Sequence, residues 1–498
     1  MTSDSQNMQD MQHPTHLTEA DSLDPQNWDE LRQQGHRMLD DMIDYLSGLR
    51  SRPVWQPIPS EIRAGFQADV PRGPGSLEAA HARFMNEIVP YGVGNSHPGF
   101  MGWVQGGGSA VGMLAEMLAA GLNANVGGRN QIPIDVERQV VQWVADLLGF
   151  SEEASGLFVT GTSMANLIAV WVARVAMLGT TVRKDGIAAN GSKLVAYTSA
   201  GAHGCIAQAM DLAGLGTSAL RVIPMTAAFE MDMALLEEAI AKDRAAGLQP
   251  FFIAATAGSV DVGAIDPLTA IADLAVREQL WFHVDGAFGA LGMLAPDIAP
   301  RLAGIERANS VALDFHKWGQ VQYDAGFILM RDGALHQATF SSPVSYLRRE
   351  VRGLAGGSPW PCDFGPDLSR GFRALKAWFA LQVYGTDKLG QVISNTCALA
   401  QYLKQKIENS GKLELLAPVA LNIVCFRHRG TPDMDDARLD RFNADLAVAI
   451  QESGKAAPST TLVKGRMAIR AAIVNHRTSR AEIDALVDTA LALADTMN

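Results

Sequence analysis

Cysteine is scarce in this chain, and the common metal and nucleotide motifs are missing. The 498 residues contain four cysteines, which lie far apart and form no C-x-x-C pair. A disulfide scaffold or structural zinc cluster is therefore not expected, and a reducing cytoplasm suits the unpaired thiols. The sequence also lacks H-E-x-x-H, G-x-x-x-x-G-K-[ST] and G-x-S-x-G, so zincin, P-loop and hydrolase signatures are absent and no metal is predicted.

Long apolar runs and an excess of positive charge are missing as well. No stretch reaches the roughly 18–20 uninterrupted apolar residues of a membrane span, and the polar N-terminus does not resemble a secretion signal. The net charge is −12, which argues against a large basic surface for nucleic acid. Because 48% of the residues are hydrophobic, we expect a globular protein with a large core. The missing apolar runs and the negative net charge predict neither membrane nor nucleic-acid partners.

Strand-like and helical segments alternate through the middle of the chain. Helical segments separate several short apolar runs that are typical of buried strands. These runs lie at 194–199, 220–225, 251–257 and 280–285. The alternation predicts an α/β fold with a mainly parallel sheet that is covered on both faces. Asp266 and Pro267 predict the N-cap and first residue of the helix that precedes the last strand.

The chain divides into four predicted segments. They are a disordered tail (1–25), an N-terminal helical dimerisation segment (26–95), a large domain (96–386) and a small C-terminal α+β domain (387–498). The helix expected at 26–50 has little neighbouring chain to pack against, so we expect its apolar stripe to be buried on a partner subunit. Residues 333–368 show little periodicity and predict a long irregular segment.

Polar residues follow several predicted strands, at the edge where parallel sheets bind ligands. Asp285 ends one apolar run, His316 and Lys317 follow another, and a Gly-Thr-Ser turn begins a helix whose N-terminus could bind phosphate. Lys317 is expected to be partly buried, which would lower its pKa and suit Schiff-base formation. Alone, Asp285 could cap a helix, Lys317 could be solvated and His203 could be structural. Together, in this order, they predict a reactive site.

The sequence resembles the group II, fold-type I family of pyridoxal-phosphate-dependent amino acid decarboxylases over nearly its whole length. The segments that carry the resemblance are NSHPGFMGW (95–103), TGTSMANLIAVWVAR (160–174), the His203 loop, TAGSVDVGAIDPL (256–268), HVDGAFG (283–289), DFHKW (314–318) and GFRALKAWFALQVYG (371–385). The resemblance implies a seven-stranded-type sheet in a large cofactor-binding domain. It also implies pyridoxal 5'-phosphate as cofactor and a homodimer with its site at the subunit interface.

The resemblance further implies a role for each matching residue. Lys317 would form the Schiff base with the cofactor, and Asp285 would bind the protonated pyridine nitrogen. His203 and Ala287 would lie on opposite faces of the ring, and Lys317, Asp285 and His203 would be the catalytic residues. The remaining cofactor contacts would come from Thr162, Ser163, Thr256 and His316.

Two positions depart from the family pattern. The family commonly carries a proton-donating tyrosine on a mobile loop, near 360–364 in this numbering, but no tyrosine lies there. Tyr346 lies earlier in the loop, and Phe315 replaces the usual proline before the His-Lys pair. Relatives that lack the loop tyrosine can make aldehydes, so the product remains open between an amine and an aldehyde.

The predicted reaction removes the α-carboxyl group of an L-amino acid, with an aromatic side chain expected, and makes the protein a carboxy-lyase. The predicted substrate-pocket residues are Phe100, Trp103, Arg129 and Trp360. Arg129 could bind an acidic substrate or lie at a surface, while Phe100 and Trp103 could belong to the core. The alternatives are an aldehyde synthase, a decarboxylase of acidic amino acids, a carbon–carbon lyase and a scaffold without activity.

Overall fold

Residues 22–188, 193–341 and 348–497 are described in the computed structural model. Most of the predicted tail, residues 1–21, and Tyr346 lie outside these ranges. The strands are β1 (Phe100–Met101), β2 (Ser155–Val159), β3 (Leu194–Ser199), β4 (Leu220–Ile223), β5 (Gln249–Thr256), β6 (Trp281–Asp285), β7 (Ser310–Asp314), β8 (Gly326–Met330), β9 (Leu413–Leu415), β10 (Ile423–His428), β11 (Ala457–Val463) and β12 (Arg466–Ala472).

Helices alternate with the strands and surround them. They are α1 (Trp28–Ser47), α2 (Ser60–Gly65), α3 (Leu77–Arg83), α4 (Ala110–Leu122), α5 (Ile132–Leu147), α6 (Thr162–Leu178), α7 (Val182–Asp185), α8 (Cys205–Leu212), α9 (Met233–Ala245), α10 (Leu268–Glu278), α11 (Gly333–Phe340), α12 (Ala374–Ser410), α13 (Asp436–Glu452) and α14 (Arg480–Met497). In the described ranges, none of these helices is long and apolar enough to span a bilayer.

The central sheet has the strand order β2-β8-β7-β6-β5-β3-β4 within the described residues. Strand β8 runs antiparallel to β2 and β7, while the other neighbouring pairs are parallel. The inner strands are buried along their length, because one apolar cluster with α6 covers one face and a second with α5 and α10 covers the other. The predicted α/β fold with a mainly parallel sheet is thus confirmed.

A smaller sheet follows the order β1-β11-β12-β10-β9 in the described part of the chain. Its neighbours are antiparallel except for β1, which pairs in parallel with β11. Helices α13, α14 and the second half of α12 share one apolar cluster with this sheet. The segment 100–101 therefore joins the C-terminal sheet although it lies far away in sequence, and the predicted domain limits stay predictions.

Two local predictions were wrong, and one strand was missed. Residues 333–368 are not wholly irregular, because Asp332 caps α11 by accepting the Leu335 N–H at 2.8 Å. Asp266 does not cap α10, because its carboxylate accepts the backbone N–H groups of Met231 and Thr256. Strand β11 was not predicted, since the segment APSTTLV has a polar exterior and no long apolar run.

Candidate active site

A cavity of about 260 Å³ lies at the carboxyl ends of the central strands and the N-terminus of α6. Parallel strands bring their ends to one edge, so residues that are far apart in sequence meet there. All eight residues predicted to contact the cofactor line this cavity: Thr162, Ser163, His203, Thr256, Asp285, Ala287, His316 and Lys317. Their individual roles stay predictions, but the sequence correctly placed them together.

The amine of Lys317 is held against a buried carboxylate. Its Nζ lies 2.8 Å from Oδ2 of Asp314, a residue at the end of β7. Asp314 also accepts the backbone N–H of Thr162 at 2.9 Å and the Thr162 hydroxyl at 2.8 Å. The sequence reasoning assigned no role to Asp314. Its position at a strand end, like that of Asp285, was the signal that could have found it.

The hydrogen bonds to Asp314 occupy both donor groups of Thr162, so these groups are not available to a ligand. The N–H and hydroxyl of Thr162 are both directed at the carboxylate rather than into the cavity. The next residue, Ser163, is exposed and lines the cavity at the start of α6. A phosphate at this helix N-terminus would therefore find the Ser163 side chain more accessible than that of Thr162.

Asp285 is a buried carboxylate that points into the cavity. Its Oδ2 accepts a hydrogen bond from Asn166 Nδ2 at 3.1 Å, and its Oδ1 accepts the Ala287 N–H at 3.2 Å. Burial raises the pKa of Asp285, while the positive charge of Lys317 and the Asn166 hydrogen bond act in the opposite direction. Such a carboxylate can hold a cationic ring nitrogen in a place that water reaches poorly.

Two further residues show that the cavity can hold a flat, polar group. The buried Thr256 hydroxyl has no hydrogen-bond partner among the described residues, so it can serve a bound ligand. His203 is exposed at the cavity wall, and its Nδ1 accepts the Cys205 N–H at 3.1 Å, which fixes the ring. Together with the Asp285 carboxylate and the N-terminus of α6, which also line the cavity, these residues fit pyridoxal phosphate.

The rings of His316 and Tyr323 pack against each other at the cavity, with an angle of 34° between their planes. Their ring centroids lie 4.2 Å apart. His316 Nδ1 accepts the Ala325 N–H at 3.0 Å, and burial lowers the pKa of His316 to about 4, so the ring is neutral at physiological pH. Tyr323 is about half exposed, and burial followed by the Asp314 carboxylate raises its pKa. The sequence reasoning missed Tyr323, which lies six residues after Lys317.

The predicted substrate-pocket residues do not line this cavity in the described chain. Phe100 is buried in a small cluster with the C-terminal sheet, while Trp103 is 56% exposed. Trp360 is buried, with the guanidinium groups of Arg129 and Arg349 over its ring at 4.8 and 3.5 Å. A role for Phe100, Trp103, Arg129 and Trp360 in substrate binding is therefore not supported within one chain and stays a prediction.

The chain is similar to known proteins along most of its length. Residues 59–429 match the pyridoxal-dependent decarboxylase conserved domain. An aromatic-L-amino-acid decarboxylase of Bacillus atrophaeus is 32% identical, over 94% of this chain and 96% of its own. A phenylacetaldehyde synthase of Arabidopsis thaliana is 28% identical, over 91% and 93%. The crystal structure of Catharanthus roseus tryptophan decarboxylase with L-tryptophan is 25% identical, covers 95% of this chain and 99% of its own, and has a TM-score of 0.83.

Proposed function

Because the chain belongs to the pyridoxal-dependent decarboxylase family and is an amino acid decarboxylase that uses pyridoxal phosphate, we propose that its substrate is an aromatic L-amino acid. The products would be the amine and carbon dioxide. The observation that carries the proposal is the single cavity that holds Lys317, Asp285 and His203. The 32% identity to an aromatic-L-amino-acid decarboxylase supports the substrate class.

Six residues that line the cavity have a task in the proposed reaction. Pyridoxal phosphate, when bound, supplies an electron sink for the pair of electrons left by the departing carboxyl group. Lys317 would provide the amine that carries the cofactor, and Asp285 would hold the ring nitrogen in its charged form. Ser163 and the α6 N-terminus would hold the phosphate, while the Thr256 hydroxyl would donate a hydrogen bond to the cofactor. His203 and Ala287 would contact the two faces of the ring.

The carbon that loses its carboxyl group needs a proton, and Tyr323 is our candidate for the donor. Its raised pKa keeps the phenol protonated at neutral pH. The C–C bond to the carboxyl group breaks, carbon dioxide leaves, and the electron pair on the carbon takes the phenol proton. The neutral His316 ring packs against the Tyr323 ring and restricts its movement, and solvent can restore the proton because Tyr323 is half exposed.

A second candidate function is aldehyde synthesis. It is favoured by the lack of a tyrosine at 360–364 and by the 28% identity to phenylacetaldehyde synthase. In that reaction, one oxygen molecule and one water molecule are consumed, and the aldehyde, ammonia, hydrogen peroxide and carbon dioxide are formed. Measuring carbon dioxide, amine, aldehyde and peroxide in one assay separates the two functions, and amine without peroxide would discard the synthase.

A substrate screen tests the proposed specificity. We expect carbon dioxide release from tryptophan, tyrosine, phenylalanine or their hydroxylated derivatives, and much slower release from glutamate and diaminobutyrate. The same screen should include β-hydroxy amino acids, which a carbon–carbon lyase would cleave without releasing carbon dioxide. Turnover confined to acidic substrates would contradict the aromatic assignment.

We propose that the enzyme is a cytoplasmic homodimer whose site lies at the subunit interface. Helices α1 and α4 each expose large apolar side chains. They are Trp28, Leu31 and Ile43 on α1, and Leu114, Met117, Leu118 and Leu122 on α4. A second copy would remove this apolar surface from water. All four cysteines, each within the described ranges, are free thiols, which suits the cytoplasm. Sedimentation analysis should give twice the chain mass, and a monomer would contradict the dimer.

A further inference from the structure

A line of hydrogen bonds connects the interior of the central sheet to Asp285. Trp281 Nε1 donates to Ser310 Oγ at 2.9 Å, and Ser310 Oγ lies 2.8 Å from His283 Nδ1. His283 Nε2 lies 2.8 Å from Asn166 Oδ1, and Asn166 Nδ2 donates to Asp285 Oδ2 at 3.1 Å. We call the four residues Trp281, Ser310, His283 and Asn166 the support chain.

Secondary structure fixes the support chain in place. Trp281, His283 and Asp285 alternate along β6, so their side chains point to the same face of the sheet. Ser310 lies directly beside His283 on β7, and Asn166 reaches down from α6, which covers this face. Asn166, His283 and Ser310 are all 0% exposed. Water therefore cannot substitute for any of these hydrogen bonds.

The direction of the hydrogen bonds is fixed from both ends. An indole N–H can only donate, and an ionised carboxylate can only accept. Asn166 must therefore turn its amide nitrogen to Asp285 and its oxygen to His283, which requires a proton on His283 Nε2. His283 Nδ1 is then an acceptor for the Ser310 hydroxyl. Burial lowers the pKa of His283 to about 3, which keeps the ring neutral, as this arrangement requires.

We infer that Asn166 and His283 are positioning residues that keep Asp285 ionised and aimed at the cofactor ring nitrogen. The inference rests on the proposed role of Asp285. Burial favours the neutral carboxyl group and raises the pKa of Asp285, and the positive charge of Lys317 followed by the Asn166 hydrogen bond favours the charged form. If the support chain ran in the other direction, the Asn166 oxygen would face Asp285, an arrangement suited only to a protonated carboxyl group. The orientation of the Asn166 amide in the structure, with Nδ2 toward Asp285, therefore suits the charged form of Asp285.

The support chain also differs from the environment of Lys317. There, Asp314 forms a charged pair with the amine, whereas Asp285 Oδ2 accepts hydrogen bonds from two neutral groups, the Asn166 amide at 3.1 Å and the Cys205 thiol at 3.9 Å. A neutral donor stabilises the carboxylate without neutralising it, so the full negative charge remains for a cationic ring nitrogen. Asn166 also donates to Cys205 Sγ at 3.1 Å, and burial raises the pKa of that thiol to about 12, so Cys205 adds no negative charge near Asp285.

The test compares two cofactors in binding experiments without substrate. One is pyridoxal phosphate, and the other is its carbocyclic analogue, in which CH replaces the ring nitrogen. The readout is the ratio of the analogue's dissociation constant to that of pyridoxal phosphate. We expect Asn166→Leu to lower this ratio about tenfold, the loss expected for one hydrogen bond to a charged group. Ser310→Ala removes the hydroxyl group that keeps the proton on His283 Nε2. This variant should lower the ratio by a smaller factor.

A purely structural role for the support chain would weaken both cofactors equally and leave the ratio unchanged, which would overturn the inference. Asn443→Leu is a matched control, because Asn443 is also 0% exposed but bonds to His428 backbone groups in the C-terminal domain. Its ratio should equal that of the wild type. If Asn166→Leu does not fold, an unchanged ratio in Ser310→Ala overturns the inference on its own.

Asp285→Asn separates failure of this inference from failure of the proposed site. This variant should lower the ratio more than any change in the support chain, because it removes the carboxylate itself. If Asp285→Asn leaves the ratio unchanged, the placement of Asp285 at the ring nitrogen is wrong. If it lowers the ratio while Asn166→Leu and Ser310→Ala do not, only the role of the support chain is wrong.

Discussion

The residues predicted to bind the cofactor (the cofactor side) lie together in one cavity of the chain, whereas those predicted to bind the substrate (the substrate side) do not. Strand ends and the start of α6 bring together every predicted cofactor contact in one cavity. The predicted substrate-pocket residues lie elsewhere, and Trp103 is largely exposed. The comparison shows that the ends of the central strands gather the predicted cofactor contacts within one chain, whereas the four predicted substrate contacts do not line the same cavity.

The largest effect is expected on the cofactor side, from Lys317→Ala. Removing the amine that carries the cofactor should lower carbon dioxide release by about a thousandfold or more, in line with the loss of a covalent catalyst. Lys406→Ala, on the surface of α12, is the control and should keep wild-type activity. Full turnover in Lys317→Ala on every accepted substrate would exclude the proposed mechanism.

Tyr323→Phe tests the proposed proton donor, which lines the cavity that holds the predicted cofactor contacts. We expect amine formation to fall by about 10²-fold, the usual contribution of a positioned proton donor, with aldehyde and peroxide increasing in proportion. Cofactor absorbance should remain as in the wild type. In Tyr402→Phe, which loses a hydroxyl bonded to Asp484 on the surface, the products should not change. An unaltered amine yield in Tyr323→Phe would assign the proton to another group.

Trp103→Ala tests the substrate side. If the exposed indole contacts the substrate in the dimer, KM for aromatic amino acids should rise about tenfold, while cofactor affinity stays constant. The exposed Trp28 on α1 offers a matched control, since Trp28→Ala should affect dimer stability rather than KM. Unchanged KM in Trp103→Ala would place the substrate pocket elsewhere.

The smallest effect concerns acid stability of the cofactor side. Burial lowers the pKa of His283 to about 3 and of His316 to about 4, below the unfolded value of about 6.5. The unfolded state therefore binds more protons between these values, so stability is full above about pH 6.5 and falls as the pH decreases. We expect each group to lower the free energy of unfolding by roughly 1–2 kcal/mol at pH 5.

Urea unfolding at pH 7 and pH 5 measures this loss. His316→Gln should reduce the difference in the free energy of unfolding between pH 7 and pH 5, because one buried imidazole no longer takes up a proton on unfolding. His36→Gln, on the exposed surface of α1, should leave the difference as in the wild type. Equal stability of the wild type at both pH values would contradict the burial of neutral imidazoles.

Prediction from the sequence succeeded for features that depend on residues close together in the chain. Continuous apolar runs gave β3 its observed limits, and strand ends led to Asp285 and Lys317. The roles of Asn166 and His283 depend on an interaction across 117 residues of sequence, which no local pattern reveals. Asp266 has the local features of a helix cap, yet its carboxylate binds backbone groups of another segment. The guanidinium groups of Arg129 and Arg349 lie over the ring of Trp360, a contact between distant segments that no local pattern indicates.

The most direct measurement identifies the residue that carries the cofactor. Reduction of the holoenzyme with borohydride fixes the cofactor covalently to its lysine, and peptide mapping then locates the modified residue. We predict a single modified peptide that contains DFHKW, with the modification on Lys317. Modification of another amine, such as the buried Lys376, or of none, would contradict the proposed site.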